Sequence, residues 1–568
     1  MASRLIETRE YEKRATDKRI CVVDTETDPF SEGRVVKPFS VGFYDGEQYK
    51  DFWGDDCIHQ FFAWLKTAYN EPLLIYAHNG GGFDFFFMLD YMDNGSEPLI
   101  IHGRLTQVYF QGHEFRDSFK IIPSPLSAYQ KDAIDYNKFE RHCREQHKDE
   151  ILHYQRKDCE YLYTLVERYN NEFGCQLTIG STAIQYLQHF YGFEKFQERQ
   201  DNKFRPYYFG GRNQCFEGGV IRSTKGWKVY DVTSMYPYTM KAFNHPIGNI
   251  PRVGKSILPN TFFVTWEGTN AGAVPVRADD GSLDFTTTKG IYHSTIHEIN
   301  AGLETGTIRI RRILKTYSFD AYTDFSLFID HFFELRLEAK AAGDKVMDLF
   351  YKLLMNNSYG KFAQDPRKYH DYLFTIGEVP KPYVVKAKDG TEQLVEWDMH
   401  SSCMDSFVWS KPAKNRFRGF RNVATAASIT GAARAVLLDG ITKATRPIYC
   451  DTDSIICEAL NADLDGSKLG TWKLEGEADQ AAIAGKKLYC LTHSNNRFAM
   501  TSDNNPQPKP YIPGVGWVQK TASKGAKLDP KEIRHVALGG EVTYANPVPH
   551  FTLDGGADFV TRRITSTL

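Results

Sequence analysis

The segment that most constrains the fold of this chain is residues 448–456, in which Asp451 and Asp453 stand between short runs of apolar, strand-forming residues. Isoleucine and tyrosine favour β-strands, and Asp-Thr-Asp between them predicts a tight hairpin turn. Side chains at i and i+2 lie on the same side of a strand, so we expect the two carboxylates to project together. Neighbouring anions repel unless a cation lies between them, which indicates a magnesium site. An isolated Asp-x-Asp is more often a solvated turn, so the choice depends on the rest of the chain.

Four more acids occur in the first third of the chain. Asp24 and Glu26 lie one residue apart at the end of a predicted strand, and Asp84 follows a run of three glycines. Asp158 comes four residues after Tyr154 in a predicted helix, which puts both side chains on one helix face. Strands and helices alternate through this region, as expected of an α/β domain. Each motif alone is weak, since a glycine-rich loop is commonly just a turn, but the ordered set predicts one converging site.

The chemistry of this acid set follows from its donor atoms. Carboxylates with a tyrosine, and without cysteine or histidine ligands, suit two magnesium or manganese ions rather than zinc. In a two-metal site one ion helps to make hydroxide from water, and the other stabilises the leaving oxygen of a phosphodiester. The first third of the chain is therefore predicted to be a nuclease.

The middle of the chain contains candidate contacts for phosphate and DNA. Asp231 ends a predicted strand just before a helix start, where it can bind a metal while the first helical amides meet phosphate oxygens. Gly210 and Gly211, which follow Tyr208 and Phe209, form either an ordinary turn or a backbone-exposing contact beside DNA at a domain junction.

A helical hairpin is predicted over residues 325–359, because Gly343 can close one helix and Asp344 can cap the next. The second helix carries a polar stripe on one face, formed by Lys352, Asn356 and Tyr359. Such a stripe is unusual for a helix that faces the core, and it suits the binding of a triphosphate.

Composition limits the class of protein. The 568 residues are enough for several domains, and 42% hydrophobic with 25% charged residues is typical of a soluble globular protein. No apolar run approaches the roughly 20 residues of a membrane span, and the charged N-terminus is not that of a secretory signal. The ten cysteines lack metal-ligand spacing, which favours reduced thiols in a cytoplasm-like compartment. A net charge of −2 does not exclude nucleic acid, because a basic channel and an acidic metal site can cancel.

Taken in order, these segments resemble the motifs of family B DNA polymerases over nearly the whole chain. Three segments resemble the exonuclease motifs of this family, namely Asp24 to Glu26, Asn79 to Asp84 and Tyr154 to Asp158. Four further segments resemble its polymerase motifs: residues 231–237 resemble motif A, 352–360 motif B, 449–454 motif C and 487–489 the KxY motif. The compact length and the segment 208–211 are similar to the protein-primed branch of small phages. One departure from the pattern is an extra residue between Asn79 and Asp84.

The resemblance implies an α/β and α+β multidomain fold, in which an RNase H-like 3′–5′ exonuclease domain precedes a right-hand polymerase of palm, fingers and thumb with two inserted subdomains. The implied exonuclease domain is 1–172, and the palm consists of 173–242 with motif A and 411–522 with motif C and KxY. Insertion 1, implied to contact the priming protein and DNA, is 243–328, and insertion 2, implied in strand displacement and processivity, is 364–410. The fingers with motif B are 329–363 and the thumb is 523–568.

The implied activity is that of a DNA-directed DNA polymerase with a proofreading 3′–5′ exonuclease, which replicates a linear viral or plasmid genome by protein-primed initiation with strand displacement. Expected partners are template-primer DNA, dNTPs and a terminal priming protein, with no membrane, and the protein is expected to be a monomer. The expected location is the cytoplasm of a bacterial host, or wherever the linear replicon resides. The alternatives are a primer-dependent family B polymerase without protein priming, a non-catalytic DNA-binding replication factor, and a plain exonuclease. The non-catalytic alternative requires missing acids, and none is missing.

The resemblance also implies roles for the acids. Two Mg²⁺ ions, with Mn²⁺ as a substitute, are expected at each active site. At the polymerase site the implied metal ligands are Asp231, Val232 and Asp453, with Asp451 as a further ligand or close support. At the exonuclease site the implied ligands are Asp24, Glu26, Asp84 and Asp158, while Tyr154 orients the attacking water and Lys131 assists.

The remaining implied roles concern the substrates. The residues expected to bind the incoming nucleotide are Tyr236, Lys340, Lys352, Asn356 and Tyr359, of which Tyr236 excludes ribonucleotides by a clash with the 2′-hydroxyl. The residues expected to hold a frayed 3′ end are Thr27, Asn79, Phe83, Phe87, Ser118, Phe119 and Tyr136. Further DNA contacts are expected from Tyr208, Gly210, Gly211, Gly360, Lys487 and Tyr489.

Overall fold

The computed structural model describes residues 13, 15–30, 35–126, 134–191, 198–248, 250–386, 392–413, 421–494, 511–523, 525–526, 528–546, 548–553 and 557–566. Two large sheets organise these residues, one of seven strands from the first part of the chain and one of eight strands from the middle and late parts. Within the described residues, no helix is both long and apolar enough to cross a membrane.

The first part of the chain forms the seven-stranded sheet with one helix on each side. Its elements are β1 Ile20–Thr27, β2 Pro38–Tyr44, β3 Tyr49–Trp53, α1 Cys57–Ala68, β4 Leu74–Ala77, β5 Leu99–Ile101, β6 Arg104–Phe110, β7 His113–Asp117 and α2 Lys148–Phe173. The strand order is β3-β2-β1-β4-β7-β6-β5, with β4 parallel to β1 and to β7.

Burial on both faces explains why β1 and β4 read as continuous apolar runs. Val22 and Tyr76 point to the core shared with α2, whereas their neighbours Val23 and Ile75 point to the core shared with α1. The predicted α/β architecture of this region is therefore confirmed, and the acids of β1 lie at its carboxyl end.

A connecting region leads into the second sheet. Its elements are α3 Ile179–Phe190, α4 Glu198–Phe204, β8 Asn213–Cys215, β9 Gly219–Val232, α5 Met235–Ala242 and β10 His245–Pro246. β9 ends one residue after Asp231, and α5 begins three residues later. The predicted strand end and helix start around Asp231 are therefore confirmed.

The next segment forms a separate four-stranded sheet, in the order β11-β16-β12-β15. Its elements are β11 Arg252–Gly254, β12 Thr261–Asn270, β13 Val276–Arg277, β14 Leu283–Asp284, β15 Lys289–Thr295, α6 Ile296–Glu304, β16 Ile308–Ser318 and β17 Tyr322–Thr323. α6 begins with a capping box between Thr295 and Glu298, which satisfies the amides of its first turn.

The helical hairpin and a second small β region follow. They consist of α7 Ser326–Ala341, α8 Lys345–Phe362, β18 His370–Ile376, β19 Tyr383–Lys386, β20 Glu392–Val395, β21 Asp398–Cys403 and β22 Ser406–Pro412. Gly343 has a left-handed backbone (φ 71°), and the Asp344 side chain accepts a hydrogen bond from the Met347 amide. The predicted hairpin and its caps are confirmed.

The last part of the chain completes the eight-stranded sheet. Its elements are α9 Val423–Lys443, β23 Ala444–Thr445, β24 Tyr449–Asp451, β25 Ser454–Cys457, β26 Ala459–Leu460, β27 Trp472–Gly485, β28 Leu488–His493, β29 Tyr511–Ile512, β30 Gly516–Ser523, α10 Pro530–Ala537, β31 Glu541–Ala545, β32 His550–Phe551, β33 Ala557–Asp558 and β34 Thr561–Thr565. The strand order is β29-β30-β28-β27-β9-β25-β24-β8. Strands that are far apart in sequence thus meet around Asp231.

Candidate functional site

The Asp-Thr-Asp segment forms the predicted hairpin turn. Asp451 is the last residue of β24 and pairs with Ser454, the first residue of β25, so that Thr452 and Asp453 make a two-residue turn. Thr452 has a left-handed backbone (φ 59°), which such turns require. Asp453 belongs to the turn rather than to the strand, so strand alternation does not explain its placement. The two carboxylates are nevertheless close enough for the charge of Asp451 to raise the pKa of Asp453.

Asp231 reaches the same turn from the neighbouring strand. It pairs with Ser454 across the β9–β25 ladder, and the Val232 amide donates a hydrogen bond to the Asp453 carbonyl over 2.8 Å. Burial, followed by the charge of Asp453, raises the pKa of Asp231 to about 7. Burial and the charge of Asp451 raise the pKa of Asp453 to about 6, against hydrogen bonding that lowers it. The two carboxylates therefore repel each other in a partly desolvated place.

Two residues of this site lack any motif in the sequence. The Lys520 ammonium on β30 lies 2.9 Å from the Glu475 carboxylate on β27, and its charge lowers the pKa of both Asp231 and Asp453. Their charges also act on the pKa of the buried Tyr489, which Lys520 lowers and Glu475 raises. Pairing between distant strands brings them here, and no short-range pattern in the sequence indicates that pairing.

A cavity of about 700 Å³ opens in front of Asp231 and Asp453. Its walls include all the predicted nucleotide-binding residues, namely Tyr236, Lys340, Lys352, Asn356 and Tyr359. The rings of Tyr236 and Tyr359 stack with their centroids 3.9 Å apart and their planes at 15°. The helical hairpin thus forms one wall of a space that the acids of the sheet close from the other side.

The segment 208–212 packs directly against the turn formed by Thr452 and Asp453, which is called the catalytic-type turn from here on. The Thr452 amide donates to the Arg212 carbonyl over 2.6 Å. A Cβ atom on Gly211 would lie 2.8 Å from the Thr452 side chain, so only glycine permits this approach. Tyr208 is half-buried, whereas a Cβ on Gly210 or Gly360 would meet open space.

The KxY segment lies on the other side of the same turn. The Lys487 ammonium is 3.6 Å from a carboxylate oxygen of Asp451, and the Lys487 amide donates to the Tyr449 hydroxyl over 3.0 Å. Lys487 has a left-handed backbone (φ 57°) and precedes β28. The alternation of Lys487, Leu488 and Tyr489 in the sequence predicts one strand face for the lysine and the tyrosine. The structure differs, because Lys487 belongs to the turn that precedes β28.

The acids of the first third form a second, separate cluster. Asp84 is 3% exposed, and its Oδ1 accepts hydrogen bonds from the Thr25 amide (3.1 Å) and the Thr25 hydroxyl (2.6 Å). Burial raises the pKa of Asp84 to about 6. Burial also raises the pKa of the Cys159 thiol on α2, and four charges add to the effect, those of Asp24, Asp158, Glu26 and Asp84. The four predicted acids therefore surround one region.

Two tyrosines border this cluster. The hydroxyls of Tyr136 and Tyr154 lie 3.4 Å apart. The pKa of Tyr154 is raised by burial, by this hydrogen bond and by the charges of Asp158 and Glu26. Tyr154 is thus a neutral hydroxyl beside the acids, as predicted for a group that orients water. Lys131, the predicted assisting lysine, lies outside the described residues.

The residues predicted to hold a frayed 3′ end have different surroundings. Phe83 and Phe87 are 5.2 Å apart between ring centroids and form a phenylalanine cluster with Phe86 and with Phe551 of β32. Asn79 has a left-handed backbone (φ 64°), and its side-chain oxygen accepts a hydrogen bond from Arg104.

The remaining predicted contacts for the 3′ end range from half-buried to fully buried. Phe119 packs under the Arg104 guanidinium, 5.4 Å from the ring centre. Thr27 is 7% exposed, and Ser118 is fully buried with its hydroxyl hydrogen-bonded to the Ala77 carbonyl. The structure therefore places Ser118 behind the surface that Phe119 presents.

The donor chemistry of both clusters fits divalent metal ions. In the described part of the chain, no group of three or more His, Cys, Asp and Glu side chains is arranged to hold a metal ion. Asp231 and Asp453 nevertheless offer only oxygen donors, and their mutual repulsion is of the kind that a hard divalent cation relieves.

Comparison with known proteins gives consistent results. A family model described as DNA polymerase type B, organellar and viral, matches residues 124–415. The chain is 46% identical to the DNA-directed DNA polymerase of Enterobacteria phage PRD1, over 98% of this chain and 99% of that one. It is 24% identical to a probable DNA polymerase of Agaricus bitorquis, over 78% of this chain and 66% of that one.

The fold is similar to that of a solved structure of phi29 DNA polymerase complexed with primer-template DNA and incoming nucleotide substrates. The TM-score is 0.68 with 18% identity, over 97% of this chain and 100% of that chain. The predicted fold class and the resemblance to the small-phage branch of family B are thereby confirmed. The chain belongs to the family of organellar and viral type B DNA polymerases.

Proposed function

We propose that this DNA polymerase copies a linear viral or plasmid genome, starts synthesis on a priming protein and removes wrong nucleotides at a separate 3′–5′ exonuclease site. The observation that carries the proposal is the cavity in which Asp231 and Asp453 face all the predicted nucleotide contacts. The phage PRD1 relative, a DNA-directed DNA polymerase, supports the same assignment. The ligands are primer-template DNA and dNTPs, those named for the phi29 complex of similar fold.

The nucleotide is held between the helical hairpin and the sheet. Lys340 and Lys352 reach the cavity from the two helices, so they neutralise the triphosphate and the charge that develops on the leaving pyrophosphate. The Tyr236 ring lies under the sugar, where its stack on Tyr359 fixes it against a 2′-hydroxyl. The metal ions, Mg²⁺ or Mn²⁺, would be held by Asp231, Val232 and Asp453, and when bound they supply Lewis-acid stabilisation of the reacting oxygens.

The primer end is held around the catalytic-type turn. Lys487 lies beside Asp451 at this turn. Gly210 has open space next to its backbone. Tyr489 supports these contacts from a buried position, and Tyr208 and Gly211 support them from half-buried ones. Gly360 leaves room at the end of the hairpin. Positive charge and exposed backbone amides are suited to the phosphates of a primer strand.

The exonuclease site takes the same strand in single-stranded form. Asp24, Glu26, Asp84 and Asp158 would hold its ions, and the Tyr154 hydroxyl would orient the attacking water. The rings of Phe83 and Phe87 offer faces on which the terminal bases can stack.

The proposed division of the chain follows the sheets. The seven-stranded sheet supports an exonuclease domain at 1–172, and the eight-stranded sheet supports a palm made of 173–242 and 411–522. The two small β regions support the insertions at 243–328 and 364–410, and the α7–α8 hairpin supports the fingers at 329–363. The thumb is 523–568.

Protein priming is tested by its covalent product. The protein is incubated with candidate terminal proteins, divalent metal and one labelled dNTP, without any DNA primer. A labelled nucleotide–protein adduct is expected, and Asp453→Ala should prevent it. If the wild-type protein extends a DNA primer but labels none of the candidate proteins, the primer-dependent alternative is favoured.

Location and assembly are also part of the proposal. The phage origin of the PRD1 relative supports the cytoplasm of a bacterial host. A monomer is proposed because both clusters of acids are built within one chain. Sedimentation at the mass of one chain, at concentrations used in activity assays, tests this point.

A further inference from the structure

Lys473 of β27 lies on the face of the sheet that carries the polymerase acids. In the antiparallel β9–β27 ladder Lys473 stands directly opposite Asp231, while the next pair, Trp472 and Val232, is buried on the other face. Directly opposed residues of an antiparallel pair project to the same face, with Cβ atoms about 5 Å apart. Lys473 also lines the cavity in front of Asp231. No polymerase motif of the chain includes this lysine.

A loop that follows α9 and the catalytic-type hairpin holds the stem of Lys473 in place. Gly466 has a left-handed backbone (φ 65°), and a Cβ added there would lie 3.1 Å from both Cβ and Cγ of Lys473. The Gly466 carbonyl accepts a hydrogen bond from the Thr233 hydroxyl over 3.0 Å, and the Gly470 amide donates to the Thr233 carbonyl over 2.9 Å. The loop is therefore fixed to the segment just after Asp231, and it packs on the methylenes of Lys473.

The cavity in front of Asp231 is lined by positive side chains from the hairpin and from the sheet. Lys340 and Lys352 face it from the hairpin, Lys473 faces it from the sheet, and Arg336 lies beside them with its guanidinium 2.7 Å from Asp348. The pKa of Lys340 is lowered by burial and by neighbouring cations that include Lys352 and Lys473. Among the described residues, Lys473 has no carboxylate within ion-pair distance. Three lysines that converge without carboxylate partners indicate a bound polyanion.

We propose that Lys473 is a third phosphate ligand, which binds the β- and γ-phosphates of the incoming dNTP from the palm side. This inference rests on the proposed polymerase function. In nucleotide addition the primer 3′-hydroxyl loses its proton to water and its oxygen bonds to the α-phosphorus. The bond from the α-phosphorus to the bridging oxygen breaks, and its electron pair leaves on pyrophosphate. Lys473 keeps its proton and contacts this leaving group, opposite Lys340 and Lys352. Because the triphosphate carries the charge before and after reaction, the contact stabilises ground and transition states alike.

The expected signature is a change in KM rather than in kcat. Lys473→Ala should raise KM for dNTP about tenfold, as for loss of one charge-assisted hydrogen bond, with kcat within about threefold. The KM of Lys473→Arg should stay near that of wild type, and Lys473→Glu should have a higher KM for dNTP than Lys473→Ala. Inhibition by added pyrophosphate should weaken in the same order, which locates the contact on the β- and γ-phosphates.

The test uses the full chain in single-nucleotide primer extension, with inorganic pyrophosphate as the second probe. Lys468→Ala is the matched control, because Lys468 lies on the same loop, is 74% exposed and pairs with Asp465 over 2.7 Å. It should change neither KM nor pyrophosphate inhibition. Degradation of single-stranded DNA by each variant checks that the chain is folded.

The outcomes separate the inference from the function on which it rests. KM values for Lys473→Ala and Lys473→Glu within twofold of wild type overturn the inference, as does an equal rise for Lys468→Ala. A rise that Lys473→Arg does not rescue also overturns it, because a purely structural role is then indicated. Failure of the wild-type protein to extend any primer removes the proposed function, and the inference with it.

Discussion

The two clusters of acids share a residue type but differ in what surrounds them. Asp231 and Asp453 face a cavity of about 700 Å³ whose other wall carries lysines. Asp84 and its neighbours instead surround the buried Cys159 and border the hydroxyls of Tyr154 and Tyr136. Under the proposed functions, the difference corresponds to the leaving groups, since cations stabilise a leaving pyrophosphate whereas a shortened DNA strand does not carry the same excess charge. Similar acids can therefore serve opposite reactions when the facing walls differ.

The compensation of negative charge also differs between the clusters. Asp84 accepts two hydrogen bonds from Thr25, which offset part of its burial. Asp231 is compensated mainly by charges from other elements, those of Lys520 and Lys352. The site around Asp231 is thus assembled from distant parts of the chain. The acids around Cys159 instead come from the first part alone, from β1, from the short 3₁₀ helix Asp84–Tyr91 and from α2.

The largest effect is expected from a substitution at Asp453, which should reduce one of the two activities and leave the other. Asp453→Ala should reduce nucleotide addition by about a thousandfold or more, because the substitution removes an oxygen ligand beside the reacting phosphate. Degradation of single-stranded DNA should remain within about threefold of wild type. Both rates are measured on the same preparation, and loss of both activities would contradict independent sites.

The converse change tests the other cluster. Asp24→Ala combined with Glu26→Ala should reduce degradation of single-stranded DNA by about a hundredfold to a thousandfold, for the same reason. Primer extension with matched nucleotides should persist, and misincorporated 3′ ends should accumulate. A control is Asp479→Ala, since Asp479 is a carboxylate of β27 that accepts hydrogen bonds from Ser494 and lies 3.8 Å from His493. Equal losses of both activities in the double variant would show that the two sites are coupled.

A smaller effect is expected for sugar selection. Tyr236→Val should improve the use of ribonucleotides relative to deoxyribonucleotides by roughly tenfold to a hundredfold, because the ring that opposes the 2′-hydroxyl is removed. Tyr236→Phe keeps the ring stacked on Tyr359 and should keep the discrimination. The ratio of kcat/KM for the two nucleotides is the measurement. Unchanged discrimination in Tyr236→Val would exclude the steric role.

The smallest effect concerns stability and pH. The pKa values of Asp231 and Asp453 are raised to about 7 and about 6 in the folded protein. The folded state then binds more protons than the unfolded chain between about pH 4 and pH 7, so these groups cost stability as pH rises through that window. Asp231→Asn should remove this cost and raise Tm by roughly 1–3 °C at pH 8, and by less at pH 5, where only the first part of the window has been crossed.

This pH experiment also sharpens the comparison of the two sites. It is done in chelator, so that no divalent ion compensates the wild-type acids. Asp84→Asn should raise Tm by less than Asp231→Asn does, because hydrogen bonds from Thr25 already stabilise the Asp84 carboxylate. In wild type, added Mg²⁺ should raise Tm more at pH 8 than at pH 5, since protons compete for the same oxygens. An equal Mg²⁺ effect at both pH values would contradict binding at these acids.

Much of the fold and of the sites follows from short-range patterns. The hairpin at residues 448–456, the α7–α8 hairpin with its Asp344 cap and the α/β start of the chain were all predicted. Local geometry caused two errors. Asp453 and Lys487 sit in turns rather than on strands, because left-handed residues at Thr452 and at Lys487 itself end the regular alternation.

The sequence by itself predicted the acids and the two hairpin lysines that carry the proposed chemistry, because motif spacing on one strand or helix is set by local backbone geometry. The pairing of β9 with β25 and β27, and of β28 with β30, was decided only by the tertiary structure. That pairing brings Glu475, Lys520 and Lys473 to Asp231. The partners of β9 lie more than two hundred residues away, and those of β28 in β30 about thirty. Such pairing depends on the burial of whole sheet faces, which leaves no fixed spacing in the sequence.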